Sequence, residues 1–360
     1  MVGLAAAASL ARSGKSVWLL ERLEGFGREI TSRNSEVVHA GIYYPKDSLK
    51  AKFCVAGRRL LYERCARLGI PHRKLGKWIV ACEDAELPRL EALKATGDAN
   101  GVEGLRLADA AELKRAEPHL RAVAAIESPE TGIVDAHALC LSLAAEVESH
   151  DGVLVLNTEL RAIERNANAY RIQTQGEGGE RSGFGVAAVV NAAGLDSDRV
   201  AALAGLDVDA AGYRLHPCKG DYFALAPSAP IRVSRLVYPV PSGAGLGVHA
   251  TLDLGGRIRF GPDAEFVDAP RYDVDPAKAE AFAQVITRYL PALRAEWLTP
   301  DYAGVRPRLA GPGEPSRDFV VQEESEAGLP GFVNLLGIES PGLTAALAIG
   351  DHTAELLASL

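Results

Sequence analysis

The sequence predicts a mixed α/β (α+β) protein, in which a doubly wound lobe around a parallel sheet is interrupted by a second lobe of antiparallel sheet. Three observations predict it. The chain opens on a helix pattern at 4–12 that feeds a short apolar run at 17–20, closed by Glu21. Two further strand–turn–helix units follow, an apolar run at 186–191 ending in Asn191-Ala192-Ala193-Gly194 and a closing one at 332–357. Between them, from Pro217 onward, short alternating segments are separated by Gly, Pro and Asp turns. Continuous apolar runs with helices belong to parallel sheets covered on both faces, whereas alternation belongs to antiparallel sheets.

Taken in order, Gly3 precedes the small face Ala5–Ala8, which suits close helix–strand packing, and Gly14 stops the helix. This is the second half of a dinucleotide-binding β-α-β unit, with a packing glycine and an acid, Glu21, for the ribose hydroxyls. The connection 22–45 is long and polar, and a long connection in a compact domain is usually functional. Within it Ser32, Asn34 and Ser35 can cap a short helix whose free N–H groups suit a phosphate. A helix at 48–68 is scaffold. A strand at 77–81 and helices at 85–95 and 110–116 follow, the last closed by Pro118, and 131–134 leads into a helix at 136–149. Strands at 153–157, 159–165 and 169–175 form a meander, and 197–204 is helical. In the antiparallel lobe, strands are expected at 221–225, 234–240, 246–252 and 256–260. A helix at 276–289 interrupts them before strands near 302–307 and 318–322.

Composition narrows the function. Of 360 residues, 48% are hydrophobic and 24% charged, as in an ordinary globular protein with a large core. A net charge of −8 argues against a nucleic-acid surface but not against an acidic substrate, which needs only local basic groups. No apolar run approaches the roughly 20 residues that span a bilayer, and no basic leader precedes an apolar core. The five cysteines are scattered without CxxC spacing, and the histidines form no HxxxH pattern. A reducing cytoplasm is therefore expected, with neither disulfide framework nor metal. A peripheral contact with the inner face of the membrane is compatible with this reading.

Several motifs then carry a resemblance from end to end. They are SRNSEVVHAGIYYP (32–45), SLKAKFCVAG (48–57), TGIVDAHAL (131–139), VVNAAGL (189–195) and HPCKGDYF (216–223). LVYPVP (236–241), GLGVHATLDLGG (245–256), YAGVRP (302–307) and GIESPGLTAALAI (337–349) complete them. In this order they resemble FAD-dependent oxidoreductases of the D-amino-acid-oxidase type, in the branch of L-2-hydroxyglutarate dehydrogenases and oxidases. The resemblance implies a Rossmann-like FAD-binding lobe from 1–76, 134–214 and 320–360, and a substrate lobe from 77–133 and 215–319. It also implies Gly-x-Gly-Val-Val-Gly-Leu where this chain reads Met1-Val2-Gly3-Leu4, so a short strand and two more glycines are expected upstream.

For the cofactor, the resemblance implies that Gly3 packs the first crossover and Glu21 holds the adenosine ribose. Arg22 with Ser32, Arg33, Asn34 and Ser35 would line the pyrophosphate and ribityl path. Leu160 would lie beside the adenine, and Ala193 and Gly194 would leave room for the cofactor. Gly337, Ile338, Gly342 and Leu343 would bring a helix N-terminus to the flavin, where its dipole stabilises reduced-flavin charge. For the chemistry, oxidation of a 2-hydroxy acid needs a hydride acceptor and a base for the hydroxyl proton. His39 and His249 are the candidates. His39 is preferred because its loop follows directly from the cofactor crossover. A dicarboxylate needs fixed positive charge, expected from Arg306 and Lys219, with hydroxyl donors from Tyr44 and Tyr238. Arg259 reads instead as a solvated strand edge. The expected activity is oxidation of L-2-hydroxyglutarate to 2-oxoglutarate, with oxygen, a quinone or a carrier flavoprotein as electron acceptor. The alternatives are an amine or amino-acid oxidase of the glycine or sarcosine type, or a flavin-free remnant acting as a binding protein.

Overall fold

The computed structural model describes residues 1–166, 169–241 and 247–358, which fall into two compact units. The first comprises Met1–Ser32, Ala136–Pro217 and Arg306–Leu360, and the second Arg33–Asp135 and Cys218–Val305.

In the first unit the helix Val2–Arg12 buries Leu4 to Ala11. Its alanines let the closing helix Gly342–Leu356 approach until a Cβ on Gly350 would lie 2.6 Å from the Ala5 carbonyl group. Ser9 and Arg12 both reach Asp351 across this seam, at 2.6 and 2.7 Å. Trp18–Leu20 pairs in parallel with Val153–Val155, and Val189–Asn191 in parallel with Leu329–Leu336, whose other edge carries antiparallel Val320–Glu324. The expected parallel pairing is therefore present, as two separate sheets. A three-stranded meander joins Thr158–Asn166, Ala169–Gly176 and Arg181–Val186. The segment at 153–157 was expected in that meander, but its backbone bonds go to the first crossover strand instead. The run expected at 186–191 is divided, because Val186 ends a meander strand before the parallel strand begins.

The second unit is built on one large sheet. Lys77–Ala81 lies at its middle, antiparallel to Ala124–Ser128 and parallel to Leu236–Pro239. His249–Leu252, Ile258–Gly261 and His216–Leu225 extend it on one side, and Arg106–Asp109 on the other. The central strand is covered on both faces. Trp78 and Val80 pack with Phe223, Phe260 and Phe282, and Ile79 and Ala81 with Ala40, Ile42 and Val55. The strand expected at 246–252 starts on a residue outside those described, and its described part is His249–Leu252. The helix expected at 276–289 is a 3₁₀ turn, Pro276–Lys278, followed by Ala279–Ile286, with Asp275 accepting from the Ala277 N–H at 2.9 Å.

The units divide the chain at other places than expected. Residues 33–76 belong with the second unit because Val37–Val38 pairs with Gly132–Val134, and buried Arg58 bonds Glu103 and Glu130. Residues 306–319 belong with the first because Leu309 packs on Leu336 and Arg317 donates to the Gly212 carbonyl. Among the described residues no helix is long and apolar enough to cross a membrane, and no His/Cys/Asp/Glu group could hold a metal ion.

Candidate active site

The second unit gathers a polar cluster inside its aromatic core. The turn after Val38 is set by Gly41 at φ 109°, where a Cβ would come within 2.8 Å of Val55 Cγ2. This backbone, open to glycine, carries His39 before it and Tyr43 after it. Across the sheet, period-2 alternation puts Lys77 on the same face as Ile79 and Ala81, which pack against this loop. Lys77 is only 1% exposed, and its Nζ lies 4.6 Å from the Tyr43 ring centre and 4.5 Å from that of Tyr238. Among the described residues it has no ion-pair or hydrogen-bond partner. The Tyr43 hydroxyl is also buried without a hydrogen bond to a described residue.

Two tyrosine stacks complete the cluster. Tyr238 lies flat on His249, with ring centres 3.5 Å apart and planes 10° from parallel, and Tyr222 stacks on Tyr302 at 4.4 Å. Tyr302 donates to the Asn34 carbonyl at 2.7 Å, anchoring the 33–36 turn, in which Asn34 Oδ1 accepts from the Glu36 N–H. Electrostatics follow from enclosure. Burial, and next to it the Lys77 ammonium, push the His39 imidazole down to about 3, so its ring is neutral. Burial pushes Lys77 down to about 7, with Cys54 acting the other way. Burial also holds the Tyr43 and Tyr238 hydroxyls well above their ordinary value, as protonated donors. A neutral imidazole, a cation and phenol donors in one place can accept a proton and bind an anion.

Of the expected substrate residues, His39, Tyr238 and His249 are therefore brought into one unit around Lys77. Tyr44 adjoins them in sequence, its carbonyl accepting from Asn100 Nδ2 at 2.8 Å. Arg306 is half-buried on the strand Leu298–Arg308 and falls to the first unit. Lys219 is corrected. Its Nζ lies 2.8 Å from Asp221, which is fully buried and also bonded by Lys278, so this charge is already committed. Arg259, read as a solvated edge, is mostly buried and paired with Asp301 at 2.8 Å. Lys77 was missed, because a lysine opening a strand reads as a solvated end.

The first unit holds the expected cofactor residues other than Arg33, Asn34 and Ser35, and several of them suit FAD. A Cβ on Gly3 would meet Ala192 at 3.1 Å, so helix and NAAG turn touch as the crossover requires. Asn191 ties that turn together, donating to the Ser197 carbonyl at 2.7 Å and to Asn334 at 2.8 Å, while its own oxygen accepts from the Ala193 N–H. Glu21 ends its strand with one oxygen accepting from the Leu23 N–H, and the other makes no hydrogen bond to a described residue. Gly194 at φ 60° and Gly337 at φ 66° are left-handed turns packed against the protein itself, where a Cβ would meet Ile30 at 3.1 Å and Leu309 at 2.5 Å. Ile338 and Leu343 flank the start of Gly342–Leu356, which has neither a side-chain cap nor a first-turn acid. Such a bare N-terminus suits an anion.

Other residues of the expected path are already engaged. Arg22 is held between Glu29 at 2.6 Å and Asp196 at 2.5 Å, so it carries compensated charge. The 32–35 loop is divided between the units. Ser32 donates to the Arg28 carbonyl in the 3₁₀ turn Ile30–Arg33, Arg33 covers the Tyr272 ring at 4.2 Å, and Ser35 is half-buried. Leu160 packs with Ile163, Tyr170 and Ile172.

The chain is similar to known proteins along nearly its whole length. The family model for FAD dependent oxidoreductases (DAO) matches residues 1–356. The mitochondrial L-2-hydroxyglutarate dehydrogenase of Arabidopsis thaliana is 41% identical, over 99% of this chain and 81% of that protein. The mitochondrial L-2-hydroxyglutarate dehydrogenase of Caenorhabditis elegans is 32% identical, over 92% and 85%. Among solved structures, dithionite-reduced L-α-glycerophosphate oxidase from Mycoplasma pneumoniae, with FAD bound, superposes with a TM-score of 0.85. It is 25% identical and covers 99% of this chain and 93% of that one.

Proposed function

The chain belongs to the FAD dependent oxidoreductase (DAO) family, and from that premise we propose that it oxidises L-2-hydroxyglutarate to 2-oxoglutarate. The observation that carries the reading is a neutral imidazole, His39, placed with a buried cation and phenol donors in one unit. An alcohol oxidation needs a base for the hydroxyl proton, and a 2-hydroxy acid needs an anion receptor beside that base. FAD, when bound, supplies the acceptor for the C2 hydrogen and its electron pair. Glu21, the NAAG turn and the start of Gly342–Leu356 would hold it. His39 takes the hydroxyl proton. Tyr43 and Tyr238, kept protonated by burial, orient the substrate oxygens as donors. His249, stacked flat on Tyr238, fixes that ring. Arg306 supplies the fork for a second carboxylate.

The test is a substrate panel without oxygen, following bleaching of the flavin. L-2-hydroxyglutarate is expected to reduce it faster than lactate, the D-enantiomer, glycine or sarcosine. Faster reduction by either amine would overturn the assignment in favour of an amino-acid oxidase.

A further inference from the structure

We propose that Lys77 is the receptor for the substrate carboxylate attached to the reacting carbon. The inference rests on the 2-hydroxy-acid reading above and deepens it. Lys77 is the fully enclosed end of a central strand, and its ammonium stands over the faces of two tyrosines. Cation–π contact offsets part of the desolvation of a buried ammonium but gives it no counter-charge. Lysines this deeply buried are almost always paired. The neighbouring buried lysine shows what a purely structural solution looks like in this fold, since Lys219 has Asp221 at 2.8 Å. Lys77 has no such partner among the described residues, and the anion that completes it must arrive with a ligand.

The position selects which carboxylate. The loop that carries His39 packs its Ala40 and Ile42 on Ile79 and Ala81, the face of the strand that also bears Lys77. After burial, the Lys77 ammonium is the next influence lowering the His39 imidazole. The hydroxyl that gives its proton to His39 sits on C2, one bond from C1. An ammonium beside that base therefore meets the C1 carboxylate. A bound carboxylate offsets the Lys77 field, the lesser of the two influences that lower His39, and so favours proton transfer to that imidazole. The titratable groups facing Lys77 are His39 and Tyr43 from the loop, Cys54 from the helix Leu49–Leu68, and Tyr238 from Leu236–Pro239. His249 stands behind Tyr238. Both tyrosines and Cys54 stay protonated through neutral pH, because burial pushes the phenols well up and the thiol to about 12. Near pH 8 the group left to titrate is the lysine.

The experiment uses the FAD-loaded chain and its Lys77→Met variant, with Lys77→Gln as a second variant should the first fail to fold. Glutarate, which has both carboxylates and no oxidisable hydroxyl, is titrated calorimetrically at pH 6.5 and 8.5 in two buffers of different ionisation heat. The parent is expected to take up protons on binding at pH 8.5 and few at pH 6.5. The variant is expected to bind roughly 30- to 10³-fold more weakly and to lose that difference. In flavin reduction, the half-saturating concentrations of L-2-hydroxyglutarate and L-2-hydroxybutyrate should rise together. A folded variant that binds glutarate within threefold of the parent, with unchanged proton uptake, would overturn the proposal. A loss confined to L-2-hydroxyglutarate would overturn the assignment to C1. If glutarate binding depends on Lys77 while no 2-hydroxy acid reduces the flavin, the anion receptor stands and the substrate reading falls.

Discussion

His39 and Lys77 show how one residue's cost becomes another's chemistry. Both are charged less readily in the fold than in the unfolded chain, so the unfolded state holds the extra proton. For His39 that window runs from about 3 up to the ordinary histidine value, 6.5. Stability from this group rises with pH across the window and is lost on acidification. For Lys77 the window runs from about 7 to 10.5, and again stability rises with pH. Lys77→Met removes the second contribution. Its gain in unfolding free energy over the parent should be largest at pH 7 and below and should shrink towards pH 10.5, as measured by urea unfolding at several pH values. His39→Ala tests the base, and flavin reduction should slow by roughly 10²–10⁴-fold with FAD retained. Arg306→Lys tests the distal fork. A point charge cannot reproduce a bidentate pair, so catalytic efficiency with L-2-hydroxyglutarate should fall by roughly tenfold or more, with little change for L-2-hydroxybutyrate. Unchanged kinetics would remove Arg306 from the site.

At the scale of elements, much of the pattern was legible because local rules were obeyed. The helices Ala110–Ala116 and Ala136–Ser149 and the strand Lys77–Ala81 stand where periodicity puts them. Ser48 caps Leu49–Leu68 by accepting from the Ala51 N–H at 3.1 Å, and Gly69 ends it at φ 68°. What could not be read was pairing at a distance. Arg106–Asp109 and Ala124–Ser128 are short and weakly patterned. Ala124–Ser128 becomes a strand because the buried edge of Lys77–Ala81 needs a partner, and Arg106–Asp109 pairs in turn with Ala124–Ser128. For the same reason Lys77 was not singled out in the sequence. Its enclosure comes from Tyr43 and from Tyr238, whose strand pairs in parallel with Lys77–Ala81 from about 160 residues away. The helix seam offers a test at this scale. Gly350→Ala would drive a methyl against the Ala5 backbone at 2.6 Å, where no flexible side chain can yield. The two helices must separate, and stability should fall by roughly 1–3 kcal/mol in chemical denaturation.

For the molecule as a whole, the residues proposed for cofactor and for substrate fall to different compact units. Glu21, the NAAG turn and the Gly337–Leu343 turn belong to the first, and His39, Lys77, Tyr238 and His249 to the second. Residues 33–76, expected from the order of motifs with the cofactor lobe, fall to the second unit, because the pairing of Val37–Val38 with Gly132–Val134 joins segments that no local signal connects. The division predicts that each ligand protects its own unit. A ligand bound only by the folded state stabilises by about 2.7 kcal/mol at a hundredfold excess over its Kd. FAD should therefore slow amide exchange mainly in Met1–Ser32, Ala136–Pro217 and Arg306–Leu360, and Glu21→Ala should reduce that protection. Glutarate should slow it mainly around Val37–Val38, Lys77–Ala81 and Leu236–Pro239, and Lys77→Met should abolish the effect there without touching the protection by FAD. Hydrogen exchange read by mass spectrometry separates the two patterns. Glutarate protection confined to the first unit would place the substrate cluster elsewhere.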